Sequence, residues 1–209
     1  RCRLTDSGNL FITEMSEDGP PLYAGKGGRI REYDWDGALV WEHHDGNQHH
    51  DARRLPSGNT LYIAWDPFDG ATAKRVRGGL PGTEKEGVIY GDSIREVTSD
   101  GKLVWEWGTR EMEIENYPIC PLCPRAEFAH ANTCSPLPNG DVLISFRVLN
   151  LLIIVDKETR KIKWERQDIA FGHQHDSHIL DNGNILVFCN GFHGRDVDMA
   201  SSVREFNPD

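Results

Sequence analysis

Long apolar runs are missing from this chain. The longest, VLNLLIIV over Val148–Val155, is broken by Asn150, and a membrane-spanning helix needs about 18 consecutive apolar residues. Positive charge is scarce as well. There are 23 Lys and Arg against 33 Asp and Glu, a formal net charge of -10 over 209 residues. Phosphate backbones are bound by clustered cations, and anionic membrane surfaces by polybasic segments. Neither is therefore an expected partner. No 3.6-residue apolar period of useful length occurs, which argues against a helical core. No Gly-rich phosphate loop leads into a helix, and no cofactor is expected. The opening RCRLTDSGNLFI has no initiator Met and no signal-peptide pattern. The chain reads as part of a longer protein.

What is present is repetition. DSGNLFI, PSGNTLYI, PNGDVLIS and DNGNILVF each join a tight Gly turn to alternating β-formers, a hairpin signal. A second phrase recurs as DGALVWE, DGKLVWE and ETRKIKWE, with Trp41, Trp105 and Trp164 at matching places. A strand-like segment precedes each of these (GRIREYD, DSIREVT, LLIIVD), and SSVREFNPD has the same form. Four antiparallel strands per unit, repeated, predict an all-β protein: a β-propeller with about three and a half to four blades in this chain. Residues 1–209 are expected to be one propeller domain, incomplete at both ends. The turn glycines Gly8, Gly58, Gly140 and Gly183 lie 50, 82 and 43 residues apart. The long middle interval implies insertions near 66–87 and 109–125. The three Trp are expected to pack between blades.

The histidines concentrate just ahead of the turns. Counted back from the turn Gly, His50, Asn132 and His175 all stand at eight, while His130 and His173 stand at ten. Residues two apart on a strand share a face, and the first strand of a propeller blade lines the central channel. The pattern predicts a polar ring of imidazoles and amides. Arg147, at the end of LISFR, is particular to one unit and suits an anionic group. Asp51 and Asp176, which follow two of the His, are also consistent with turn caps.

The segments HHDARRLPSGNTLYI, HANTCSPLPNGDVLISFR and QHDSHILDNGNILVFCNG, punctuated by DGKLVWE, resemble the arylsulfotransferase family of bacterial β-propeller enzymes. The resemblance covers most of the chain. It implies transfer of a sulfuryl group from an aryl sulfate to a phenol through a histidine nucleophile. His175 is the position matched to that nucleophile. His130, Asn132, Arg147 and His50, or His49 in its place, become donors that stabilise developing charge. His49, His173 and Asn190 are expected at the substrate. Small aryl sulfates and phenols would be the partners, with assembly into a homo-oligomer or with the remainder of a longer propeller left open. The resemblance also points to the periplasm or the cell exterior.

Two other readings stay open. HQHDSH and QHHD are rich in metal ligands, so a metal-dependent lyase or hydrolase could use His173, His175 and His178. A non-enzymatic binding or assembly propeller is the third class. The five cysteines add a further choice. CPLC, in YPICPLCPRAEFAHANTC, suits either a disulfide among Cys120, Cys123 and Cys134 or a zinc site of Cys120, Cys123, His130 and Cys134. The disulfide is the expectation.

Overall fold

A computed structural model describes residues 1–20, 24–191 and 200–208. The fold is an all-β propeller, built of successive antiparallel four-strand meanders. The first blade holds β1 (Cys2–Leu4), β2 (Leu10–Met15), β3 (Gly28–Tyr33) and β4 (Leu39–His44). In the second, β5 (Gln48–Arg54), β6 (Thr60–Pro67), β8 (Tyr90–Val97) and β9 (Leu103–Gly108) pair in that order. The interval between β6 and β8 carries a helix, α1 (Gly70–Arg75), and a short strand, β7 (Gly78–Leu80); another strand, β10 (Ile119–Pro124), follows β9. The third blade is β11 (Ala131–Pro136), β12 (Val142–Phe146), β13 (Leu151–Val155) and β14 (Ile162–Gln167). The fourth has three strands among the described residues: β15 (His175–Ile179), β16 (Ile185–Cys189) and β17 (Ser202–Phe206).

The four hairpin turns share one geometry. Gly8, Gly58, Gly140 and Gly183 have φ of +86°, +85°, +91° and +84°. Each donates its N–H to the carbonyl three residues back (Thr5, Leu55, Leu137, Leu180) at 2.9 Å. A Cβ is strained at such φ, which is why glycine recurs. Burial then sorts the strands. β12 and β13 are buried at every residue, so VLISF and LLIIV carry no polar face beyond a Ser. The last strands β4 and β14 show exposed residues in alternation or runs, the pattern of an outer edge.

The described residues form two compact units, residues 1–66 with 93–107 and residues 67–92 with 108–209. In the first unit Trp41 packs on a cluster of Phe11, Ile30, Ala52, Tyr62, Ala64 and Val97, and its indole N–H donates to the Ser99 carbonyl at 2.7 Å. In the second unit Trp164 packs beside Phe206 and donates to the Pro208 carbonyl at 2.8 Å. Ser99 and Pro208 each lie two residues past the end of a third strand. Trp41 and Trp164 thus make the same inter-blade contact. Trp105 is half-buried in β9.

The two insertions are not loose loops. β10 pairs with β7 in parallel, Ile119 opposite Gly78 and Pro124 opposite Leu80. Arg125 ties them further, donating to Glu84 at 2.6 Å and to the Val76 carbonyl at 3.2 Å. No helix among the described residues is long and apolar enough to cross a membrane.

Candidate functional site

The residues ahead of the turns lie on the first strands, and bulges set where they point. In β5, His49 pairs with Ile63 and Ala52 with Tyr62, so two extra residues, His50 and Asp51, sit in the bulge. In β15, His175 pairs with Phe188 and His178 with Leu186, which leaves one extra residue. Ile63 and Phe188 are both five past their turn glycines. His49, rather than His50, is therefore the ladder equivalent of His175. Counting back from the glycine misaligns them by one because the bulges differ in length.

A second equivalence explains two glutamines. Gln48 and Gln174 directly precede His49 and His175, and both are fully buried. Gln48 Oε1 accepts the Gly28 N–H at 2.9 Å. Gln174 Nε2 donates to Ser145 Oγ, the Phe146 carbonyl and the Leu151 carbonyl at 3.1, 3.1 and 3.0 Å. Gly28 and Leu151 each open the third strand of the preceding blade. These amides clamp each first strand, and the histidine after it, to its neighbour.

His175 Nδ1 lies 2.6 Å from Asn190 Oδ1. An amide oxygen only accepts, so in the neutral ring this contact goes with the proton on Nδ1 and the lone pair on Nε2. His175 is half-buried and Asn190 exposed. Asn132, fully buried, donates to the Gln174 carbonyl at 2.7 Å, and the Asp176 N–H donates to Thr133 Oγ1 at 3.0 Å. Asn132 thus holds the strand that carries His175. His130 pairs through Nδ1 with Glu127 Oε2 at 2.8 Å. Its carbonyl accepts the Arg147 N–H at 3.1 Å, which sets His130 and Arg147 side by side at the ends of β11 and β12. His130 and His173 are both left-handed, with φ of +55° and +63°. Such backbones cost about 1–3 kcal/mol and collect at functional sites. The sequence signal for this pair is an acid three residues before His130, in EFAH.

His49 and His50 belong to the first unit. Their Nδ1 atoms are 2.8 Å apart, and the His49 ring stacks on Trp65 with centroids 4.5 Å apart. Asp51 is fully buried against Arg53 at 2.9 Å and Arg3 at 3.3 Å, so it is part of a buried ion cluster rather than a turn cap. Asp176 is exposed and left-handed, with φ of +53°.

His173, His175 and His178 do not gather round one point. His173 turns to Cys123, with Nε2 3.7 Å from Sγ. His175 turns to Asn190. His178 Nδ1 donates to the Asp176 carbonyl at 3.1 Å. Among the described residues the group of three potential metal ligands is instead Cys120, Cys123 and His173. The alternative zinc set of Cys120, Cys123, His130 and Cys134 differs from this group in two of its four members. Cys134 is fully buried in β11 opposite Ile144, and His130 is held by Glu127. Among the described residues the five cysteines are thiols, so the expected disulfide is not formed in this structure. Burial pushes the Cys123 thiol up to about 11, with the neighbouring Cys120 adding to the shift and a hydrogen bond from Arg147 opposing it. Cys120, Asn150 and His173 also line a mostly apolar cleft of about 580 Å³.

No curated protein is significantly similar to this chain. Solved structures share its fold at low identity. A protein of unknown function from Bacteroides caccae is 15% identical, with a TM-score of 0.50 over 99% of this chain and 59% of that one. Kuenenia stuttgartiensis hydrazine synthase is 11% identical, with a TM-score of 0.54 over 99% and 58%. A catalytically inactive virginiamycin B lyase from Staphylococcus aureus, solved with quinupristin, is 12% identical, with a TM-score of 0.51 over 99% and 54%. The chain thus spans less than two thirds of the length of these structures. The family model described as Arylsulfotransferase (ASST) matches residues 12–168. That stretch is well over half of the chain and contains His49, His50, His130, Asn132 and Arg147, while His175 follows it, and the chain belongs to the arylsulfotransferase family.

Proposed function

We propose that the protein is an aryl sulfotransferase in which His175 is the nucleophile. The observation that carries this reading is the His175–Asn190 hydrogen bond of 2.6 Å. With Nδ1 donating to the amide oxygen, the neutral ring carries its lone pair at Nε2. In the first step Nε2 attacks the sulfur of an aryl sulfate, the S–O bond to the aryl group breaks, and the phenolate leaves. In the second step an acceptor phenol oxygen attacks the sulfo-histidine, the N–S bond breaks, and the imidazole returns. The two steps replace one difficult transfer by two easier ones.

The other residues take roles that fit their contacts. The His130–Glu127 pair is the proton carrier, protonating the leaving phenolate and later accepting the proton of the attacking phenol. Arg147 supplies charge to the sulfuryl oxygens, a task that a guanidinium with five donors suits. Asn132 acts at one remove, by holding the Gln174 carbonyl beside His175. The reading goes with the periplasm or the cell exterior as the compartment.

The test is incubation of the purified protein with a chromogenic aryl sulfate alone. Intact mass should show one acid-labile sulfuryl group, and added phenol should discharge it with release of chromophore. His175→Asn should keep the fold and lose both signals. A His175→Asn variant that turns over at the parent rate would refute the assignment.

A further inference from the structure

The insertions place a second set of reactive groups beside the blade. Cys120 and Cys123 lie three positions apart in β10, on either side of Pro121 and Leu122, and His173 comes from the segment leading into β15. One ligand atom from each of the three residues falls within 4.8 Å of the other two. Cys123 is 2% exposed and His173 4%. The residues are brought together by backbone rather than by chance rotamers. β10 is held by its ladder to β7 and by the Cys120 N–H donating to the Val148 carbonyl at 3.1 Å. His173 is held in its left-handed conformation by its own N–H donating to Asn150 Oδ1 at 2.7 Å.

From this geometry we infer a metal site for a single thiophilic divalent cation, zinc, with Cys120 Sγ, Cys123 Sγ and His173 Nε2 as its three protein ligands and its fourth position facing the apolar cleft. The distances suit it. Zinc takes sulfur at about 2.3 Å and imidazole nitrogen at about 2.0–2.1 Å in a tetrahedral shell, so ligand atoms sit about 3.5–3.8 Å apart. Cys123 Sγ and His173 Nε2 are 3.7 Å apart. The ligand types are the soft and borderline donors zinc prefers over hard oxygen-seeking ions. Two thiolates balance the charge of the ion, which makes burial tolerable.

The fourth position follows from the surroundings. Cys120 and His173 both line the 580 Å³ cleft, with Asn150 beside them and Ile119, Leu122 and Val148 among its walls. Three protein ligands and an open position toward a cavity is the arrangement of reactive rather than purely structural zinc. On binding, two S–H bonds are replaced by Zn–S bonds and two protons pass to solvent. The inference does not depend on the sulfotransfer reading, because none of the three ligands is its nucleophile.

The test uses the whole purified protein, reduced with a phosphine and stripped of metal by chelator. Zn(II) titrated against a chromogenic chelator should bind at one equivalent. Co(II) in its place should give a thiolate-to-cobalt charge-transfer band in the near ultraviolet. Cys123→Ser and His173→Gln should each weaken Zn(II) binding at least tenfold, and the cobalt band should drop in Cys123→Ser. His130→Gln should bind as the parent does, which separates this set from one that includes His130. Should the cysteine variant fail to fold, the parent itself decides the matter: saturating Zn(II) should raise its Tm. Reduced parent protein that takes up no Zn(II), or variants that bind as tightly as the parent, would overturn the site.

Discussion

At the scale of single residues, what matters is which atom of a ring or amide is committed. Asn190 commits His175 Nδ1, so Asn190→Ala should release the tautomer. One such hydrogen bond is worth about 1–1.5 kcal/mol, and the expected loss is about tenfold in kcat with little change in KM, read from steady-state kinetics. Gln174 is the second instance. Its single amide nitrogen serves three acceptors. Gln174→Leu should strand them at about 1–3 kcal/mol for each acceptor left unpaired, measured by urea unfolding. A third case lies in the first unit. Burial opposes the ionisation of Asp45, yet the Asn47 N–H and the Arg95 guanidinium outweigh it and hold the carboxyl below its usual value. The folded state then binds fewer protons than the unfolded state in acid. The contribution is present above the ordinary carboxylate range and is lost as pH falls through the lowered value. Asp45→Asn should be less stable near neutrality and should decline less between about pH 5 and 3, as seen in Tm against pH.

At the scale of elements, bulges and outer strands divide the work. The bulges in β5 and β15 aim the histidines, and their unequal length is why His49 and not His50 matches His175. The last strands of the first and third blades instead carry an inter-blade Trp. Trp164→Phe keeps a ring against Phe206 and loses the bond to the Pro208 carbonyl, at about 1 kcal/mol. Trp164→Ala loses the ring as well, at about 3–5 kcal/mol. Thermal unfolding of the pair should separate the two contributions. If both variants cost the same, the indole ring is not packed as described.

For the whole molecule, charge and fold set the partners. A formal net charge of -10 repels polyanions, so no retention of duplex DNA is expected in a gel shift at physiological salt, where such binding depends on clustered Lys and Arg. The fold is shared with structures at 11–15% identity, which reflects how little of a propeller's chemistry is written into its blades. Function has to be argued from the residues that the bulges and insertions present.

The local order was legible in the sequence because it is local. A Gly at φ near +85° and alternating β-formers on either side specify a hairpin with only short-range contacts, and repetition of that phrase implied the blades. The three Trp were legible for the same reason, standing at one place in a recurring phrase. That histidines fall in or just ahead of the first strands was legible, but their alignment was not. Bulge length depends on pairing across the ladder, which spacing to a turn does not encode. The partners of His130 and His175 likewise come from ring placement after the strands have paired. The clearest case is CPLC. Spacing suggested His130 and Cys134 as companions because they are near in sequence. Only the pairing of two insertions, and a left-handed His173 held by Asn150, brings a histidine fifty residues away to Cys123. Contacts of that range are decided by packing, which no window of sequence contains.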